Sequence, residues 1–228
     1  MTTTERVVRF VRTATPPERV LKSAADQLQC FRAARDRGAR GPVPTAIVGL
    51  VGPARNPLWT AWISGSAAAT ADPELAWVAV CAAADALGSD EQQTATATAI
   101  GYEVADRVAE ALGPTHTTAG WSVRATAGVI GAGAAAGRLM GLDAGQLRDA
   151  LGLCATQAAG LAGATGTDAD ALQLGKAAGN AVEAALLGQC GVTSAAQPLE
   201  GRRGMFALMS TAADPAAVNE RLGTSWLS

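Results

Sequence analysis

The side chains able to do chemistry are few, and their spacing excludes more than it offers. His116, the only histidine, stands in Gly113-Pro114-Thr115-His116, behind letters that end a helix. There it reads as a solvated or capping loop residue rather than a general base. Tyr102, the only tyrosine, precedes Glu103 in a helical pattern, and its phenol is expected to make a structural hydrogen bond. Ser122 lies in Gly120-Trp121-Ser122-Val123-Arg124 and lacks the Gly-x-Ser-x-Gly turn that exposes a hydrolase nucleophile. Cys30, Cys81, Cys154 and Cys190 show no CxxC spacing. The last three sit in Ala/Leu-rich runs and are predicted to be small buried hydrophobes rather than metal ligands or disulfide partners. No HExxH, Walker loop or Cys/His cluster occurs, so no metal or cofactor is expected. Gly131-Ala132-Gly133 through Gly137 imitates a dinucleotide fingerprint. Its spacing is one residue too long and no strand leads into it, so it reads as a surface for close helix packing.

The elements that would position these residues are helical. Thr15-Pro16-Pro17-Glu18 predicts a helix start with Thr15 as N-cap, followed by Val20, Leu21, Ala24 and Leu28 on one face. Arg32, Arg35, Arg37 and Arg40 crowd its far end as a solvated cationic terminus. Gly38 to Pro44 breaks the chain, and the TAIVGLVG run after it allows either a strand or a helix. Asp72-Pro73-Glu74 predicts another helix start, running through Cys81 to Leu87. Ile100, Val104, Val108 and Leu112 predict a helix that stops at Gly113-Pro114. Further helices are expected over about Thr126–Met140, Asp143–Leu161, Ala171–Gln189 and Asp214–Leu222. Strand-type alternation is absent, and aromatic residues make up only 4%. The expected fold is all-α: one domain over residues 1–228, a compact Ala/Gly-rich bundle whose small residues bring helices close.

Of the 228 residues, 18 are Lys or Arg and 20 Asp or Glu, a formal net charge of −2. That balance leaves no global electrostatic footprint for nucleic acid. Arginines interrupt the apolar N-terminal letters, which argues against a secretory signal. The uncharged Gly128–Gly137 stretch falls short of the ~20 residues a membrane span needs. A soluble, cytoplasmic protein is the expectation.

A set of short blocks, in order and at specific spacings, is similar to the MmgE/PrpD family. The blocks are Gly101-Tyr102-Glu103-Val104, Gly120-Trp121, Thr126-Ala127-Gly128, Gly141-Leu142-Asp143, Gln157-Ala158-Ala159-Gly160, Gly175-Lys176-Ala177-Ala178 and Leu199-Glu200-Gly201. The likeness spans Ala99 to Glu200 well and reaches faintly back to Ser64. It implies a helical domain of the kind found in 2-methylcitrate dehydratase and cis-aconitate decarboxylase, lyases of small polycarboxylates. In that family an active-site histidine follows Gly-Trp; here the residue is Ser122. A Lys-Arg-Leu-His segment is matched here by Asp170, Ala171, Leu172 and Gln173, and an aspartate-rich loop is shortened to Ala69–Pro73, with Asp72 as its remnant. Members also carry a smaller α/β cap domain, which is expected to be missing here.

The resemblance therefore implies a family frame with a degenerate site. Proton abstraction beside a carboxylate needs a tuned base and cations, whereas Ser122 and Gln173 only hydrogen-bond. Ser122, Arg124, Gln173 and Lys176 are the substrate-binding candidates, and Asp170 and Asp72 the catalytic candidates. The leading expectation is an accessory helical subunit of a heteromeric lyase or cyclase in bacterial specialised metabolism, partnered by a homologous MmgE/PrpD-like subunit. The reaction expected is an elimination with loss of water, carboxylate or sulfate, with or without ring closure by an internal amine. The alternatives are a non-catalytic homo-oligomeric scaffold, or a stand-alone lyase using Asp170 and Arg124.

Overall fold

A computed structural model describes residues 1–227. Among them are eleven α-helices and no strand: α1 (Thr3–Thr13), α2 (Glu18–Gly38), α3 (Pro42–Val51), α4 (Pro57–Ala71), α5 (Val78–Leu87), α6 (Glu91–Thr118), α7 (Val123–Leu139), α8 (Ala144–Gln157), α9 (Asp168–Gln189), α10 (Met205–Met209) and α11 (Pro215–Asn219). The all-α bundle is the architecture the sequence predicts. Its centre is α7, buried without interruption from Ala125 to Gly137, with α5, α6, α8 and α9 packed around it. A helix covered on all sides needs an apolar, small-residue circumference, and VRATAGVIGAGAAAG supplies one.

Glycines set the distances. A Cβ on Gly101 of α6 would stand 2.8 Å from the Gly131 carbonyl of α7, so these backbones touch. A Cβ on Gly175 of α9 would meet the Ser66 nitrogen of α4 at 2.6 Å. Close approach of this kind leaves little room for an internal cavity.

Several local expectations are corrected. Two helices, α1 and α4, have no counterpart among the expected ones. Residues 42–51 form α3, which settles the TAIVGLVG run as helix. α2 begins at Glu18 with Pro17 extended in the cap position and no side-chain cap. Thr15 is two residues too early, because consecutive prolines hold the preceding backbone extended. Arg32 and Arg35 are not merely solvated: both grip Asp85 of α5, at 2.6 and 2.7 Å, and Arg32 also reaches Glu91 of α6.

Asp72 closes α4 instead of opening α5; its N–H bonds the Ala68 carbonyl. α5 starts only at Val78, out of a left-handed Trp77 (φ 42°). The helix-start letters of Asp72-Pro73-Glu74 are overridden because Leu75 is drawn into the core and the Trp77 indole donates to Asp106 at 2.8 Å. The first segment of α6 ends at Gly113, as expected, but the sequence reading misses a second one that follows it. Gly113 (φ 63°) makes the kink, and the second segment runs on to Thr118. Pro114 is tolerated at the head of that segment, where its missing N–H has no partner to lose. α8 ends at Gln157 rather than Leu161, and α11 is shorter than expected. Cys81 and Cys154 are buried as predicted, but Cys190 is exposed at the end of α9. The Tyr102 hydroxyl donates to the Ala76 carbonyl at 3.0 Å, the structural role anticipated for it.

Candidate functional site

The site implied by the sequence gathers where the N-terminus of α7 meets the start of α9. Gly120 (φ 96°) turns the chain out of α6, and Ser122 takes the N-cap position of α7. Trp121 forms an antiparallel bridge to Leu161. Two further backbone bonds secure it, Ser122 N–H to the Gly160 carbonyl (3.0 Å) and Ala162 N–H to the Gly120 carbonyl (2.9 Å). Gly160 (φ 145°) is required at this join. Its Cβ would stand 2.6 Å from the Ala125 Cβ, 3.2 Å from Gln173 Oε1 and 3.3 Å from the Ser122 Cβ.

Three of the candidates form one closed network. Arg124 pairs with Asp170 Oδ2 at 3.2 Å and donates from its other nitrogen to the Pro73 carbonyl. Gln173 donates to Asp170 Oδ1 at 2.9 Å and accepts the Leu161 N–H at 2.9 Å. The Asp170 side chain is only 6% exposed. Both its oxygens are thus engaged and shielded, and the cation next to it is neutralised by it. The arrangement ties α9 to α7, to the 72–77 turn and to the Leu161 bridge.

Ser122 is buried beside this network, but its side chain makes no capping hydrogen bond. Asp72 stands apart, its carboxylate accepting the Glu74 N–H at 3.3 Å. Lys176 is exposed, with its ammonium 4.6 Å from the centre of the Trp62 ring. Beside Asp170 opens a cleft of about 130 Å³ lined by Thr70, Pro73, Asp168 and Ala171 among others. Ser122, Gln173 and Lys176 are not part of its wall.

His116 is the residue the sequence reading misplaces. It is fully buried, in the second segment of α6, and stacks on Trp121 (6.2 Å between ring centres, 11° between planes). Nδ1 lies 2.9 Å from the Met209 carbonyl and Nε2 lies 2.8 Å from the Thr126 hydroxyl. A carbonyl only accepts, so Nδ1 carries a proton and donates to Met209, while the single Thr126 hydroxyl hydrogen serves either Nε2 or the Ser122 carbonyl. Thr126 Oγ1 is also 2.9 Å from the Ser122 carbonyl. Burial lowers the His116 pKa, which keeps the ring neutral and its hydrogen bonds intact. The signal that locates it is the Gly113-Pro114 pair taken as a kink, which puts His116 one helical turn inside a resumed helix.

Family blocks far from this corner also have visible structural tasks. Glu200 accepts the Thr4 N–H and, at 2.6 Å, the Thr4 hydroxyl, which fixes the first turn of α1. Glu103, fully buried, pairs with Arg107 at 2.9 Å. Gly175 allows α9 its contact with α4.

The model of the MmgE/PrpD N-terminal domain matches residues 56–217. The chain belongs to the MmgE/PrpD family. Membership places it among lyase- and dehydratase-like proteins. A search of curated proteins returns no match. Among the described residues, no helix is long and apolar enough to cross a membrane, and no group of three or more His, Cys, Asp or Glu side chains is placed to hold a metal ion.

Proposed function

We propose that this MmgE/PrpD chain is the accessory helical subunit of a heteromeric lyase or cyclase of bacterial specialised metabolism, acting with a homologous subunit that carries the catalytic groups. One observation supports this reading above others: the ionisable groups nearest Ser122 already have hydrogen-bond partners within the chain. A general base must present a lone pair to substrate. Asp170 has both oxygens bonded, and His116 has both nitrogens bonded in the interior. The same contacts make the corner rigid, which suits a surface that shapes or covers a site on another chain. The reaction proposed is elimination from a small molecule, with water, carboxylate or sulfate leaving, and with an internal amine closing a ring in the cyclase case.

The test is reconstitution with a homologous subunit that retains Gly-Trp-His and Lys-Arg-Leu-His. The expected result is a stable complex in which activity requires both chains, fails on removal of the partner's histidines and survives Asp170→Asn in this chain. Turnover by this chain alone, abolished by Asp170→Asn, would replace the reading with that of a self-sufficient lyase.

A further inference from the structure

The outward face of α1 carries Arg6, Arg9 and Arg12 at three-residue spacing, all exposed, above a buried face of Val7, Val8, Phe10 and Val11. Arg138 and Arg148 flank it from α7 and α8. Arg148 pairs with Asp149. Arg138 bonds the Val11, Arg12 and Ala14 carbonyls at the negative end of α1 rather than a carboxylate. Among the described residues, no carboxylate forms an ion pair with Arg6, Arg9, Arg12 or Arg138. Like charges at this helical spacing repel, and the one acid on the face, Glu5, is turned back to cap Thr2.

The arginines also line adjoining clefts. One of about 200 Å³ holds Arg6 and Arg9, the next, of about 390 Å³, holds Arg9, Arg12 and Arg148, and a third, of about 310 Å³, holds Arg12 and Arg138. Arg9 lines the first two and Arg12 the last two, so the clefts flank the arginine row of α1 on both sides. Leu222 and Ala196 give the clefts apolar edges, and the buried Phe10 and Val8 lie at their floors.

From this we infer that the α1 face is a docking track for an extended acidic segment of a partner protein, its carboxylates on the arginines and its apolar residues in the clefts beside them. Guanidinium forks suit carboxylates in bidentate geometry. A second copy of this chain is a poor occupant, because two-fold pairing through this face sets arginine against arginine. A long polyanion such as nucleic acid is also disfavoured. Five of the 18 basic side chains stand on this one face with Glu5, and the rest of the molecule, with 13 basic and 19 acidic side chains, is net negative and repels a strand running past α1. Only in naming the partner subunit as the source of the segment does this rest on the accessory reading above.

The probe is a fluorescein-labelled eight-residue peptide of Glu and Asp interspersed with Leu, followed by anisotropy, with a labelled eight-nucleotide DNA strand and citrate as comparisons. Peptide binding at low ionic strength is expected to weaken about tenfold or more in the Arg6→Glu/Arg9→Glu/Arg12→Glu variant, and more moderately in Arg9→Gln/Arg12→Gln. The exposed pair Arg202→Glu/Arg203→Glu should leave it unchanged. Circular dichroism and melting establish that each variant is folded. No peptide binding, equal loss in the Arg202/Arg203 variant, or tighter binding of DNA or citrate would overturn the inference. A triple reversal that ends peptide binding but leaves a reconstituted two-subunit complex intact would remove the track from that interface and leave the accessory reading standing. Failure of the native chain to form the complex would remove that reading, with the peptide result still deciding the track.

Discussion

His116 couples proton uptake to folding. In the unfolded chain it takes up a proton near its ordinary value of 6.5, whereas burial lowers that value in the folded protein. Between the two values the unfolded state binds more protons, so stability is fully present above about pH 6.5 and falls as the pH drops below it. Melting curves from about pH 8 to pH 5 should show this loss in the native chain. In His116→Gln the slope should flatten, from a starting stability lower by about 1–3 kcal/mol through loss of buried hydrogen bonds. An unchanged slope would mean that other groups set the acid limit. The roles of such residues are unevenly legible in the sequence. Tyr102 is placed correctly because a lone phenol on a buried helix needs an acceptor. His116 is not, because Gly-Pro reads equally as a helix end or a kink, and only the packing of Met209 and Thr126 decides. Nor can spacing reveal that Arg124, Asp170 and Gln173 bond to one another, since 46 residues separate the first pair.

Helix identity is most legible where composition is most one-sided. The small-residue runs of α7 and α9 announce close-packed helices, and their contacts with α6 and α4 through Gly131 and Gly175 bear this out. α5 is mis-started because Asp72-Pro73-Glu74 has every local helix-opening feature, and a tertiary demand, the burial of Leu75, overrides it. The packing makes opposite predictions for one chemical change. A Cβ on Gly131 collides with the Gly101 carbonyl, while one on Gly49 of α3 meets nothing within 4 Å. Gly131→Ala should cost about 1–3 kcal/mol by forcing α6 and α7 apart. Gly49→Ala should add about 0.5–1 kcal/mol by stiffening an exposed helical position. Urea denaturation of the two variants checks the signs. Equal signs would show that backbone approach is not what requires glycine at 131.

At the scale of the whole molecule, residues 220–227 are held by α6 and by α1. Arg107 donates to the Glu220 and Ser225 carbonyls, and Glu103 accepts the Leu227 N–H at 2.7 Å. Trp226 packs on Phe10 with ring centres 5.4 Å apart. A chain stopped after residue 219 leaves the buried Glu103–Arg107 pair open to one side and should lose about 2–4 kcal/mol. Replacing the pair with Glu103→Leu and Arg107→Met in that shortened chain should recover part of the loss, since apolar side chains there need no tail to complete their hydrogen bonds. Thermal melts of the three proteins test this, and no drop on shortening would show the tail to be an ornament. None of these contacts is visible as a sequence pattern. They depend on which surfaces the bundle leaves bare.

The fastening of α1 also fixes an order of events. Its first turn is held by Glu200, its last carbonyls by Arg138, Thr3 meets the Pro215 carbonyl, and Phe10 waits for Trp226. At a synthesis rate of about 5–20 residues per second, roughly 10–40 s pass between the making of this helix and the arrival of its last partner. Throughout that interval Val7, Val8, Phe10 and Val11 have no complete seat. A helix made before most of its partners is thus among the last to be seated, and its buried face stays uncovered while the rest of the bundle is made.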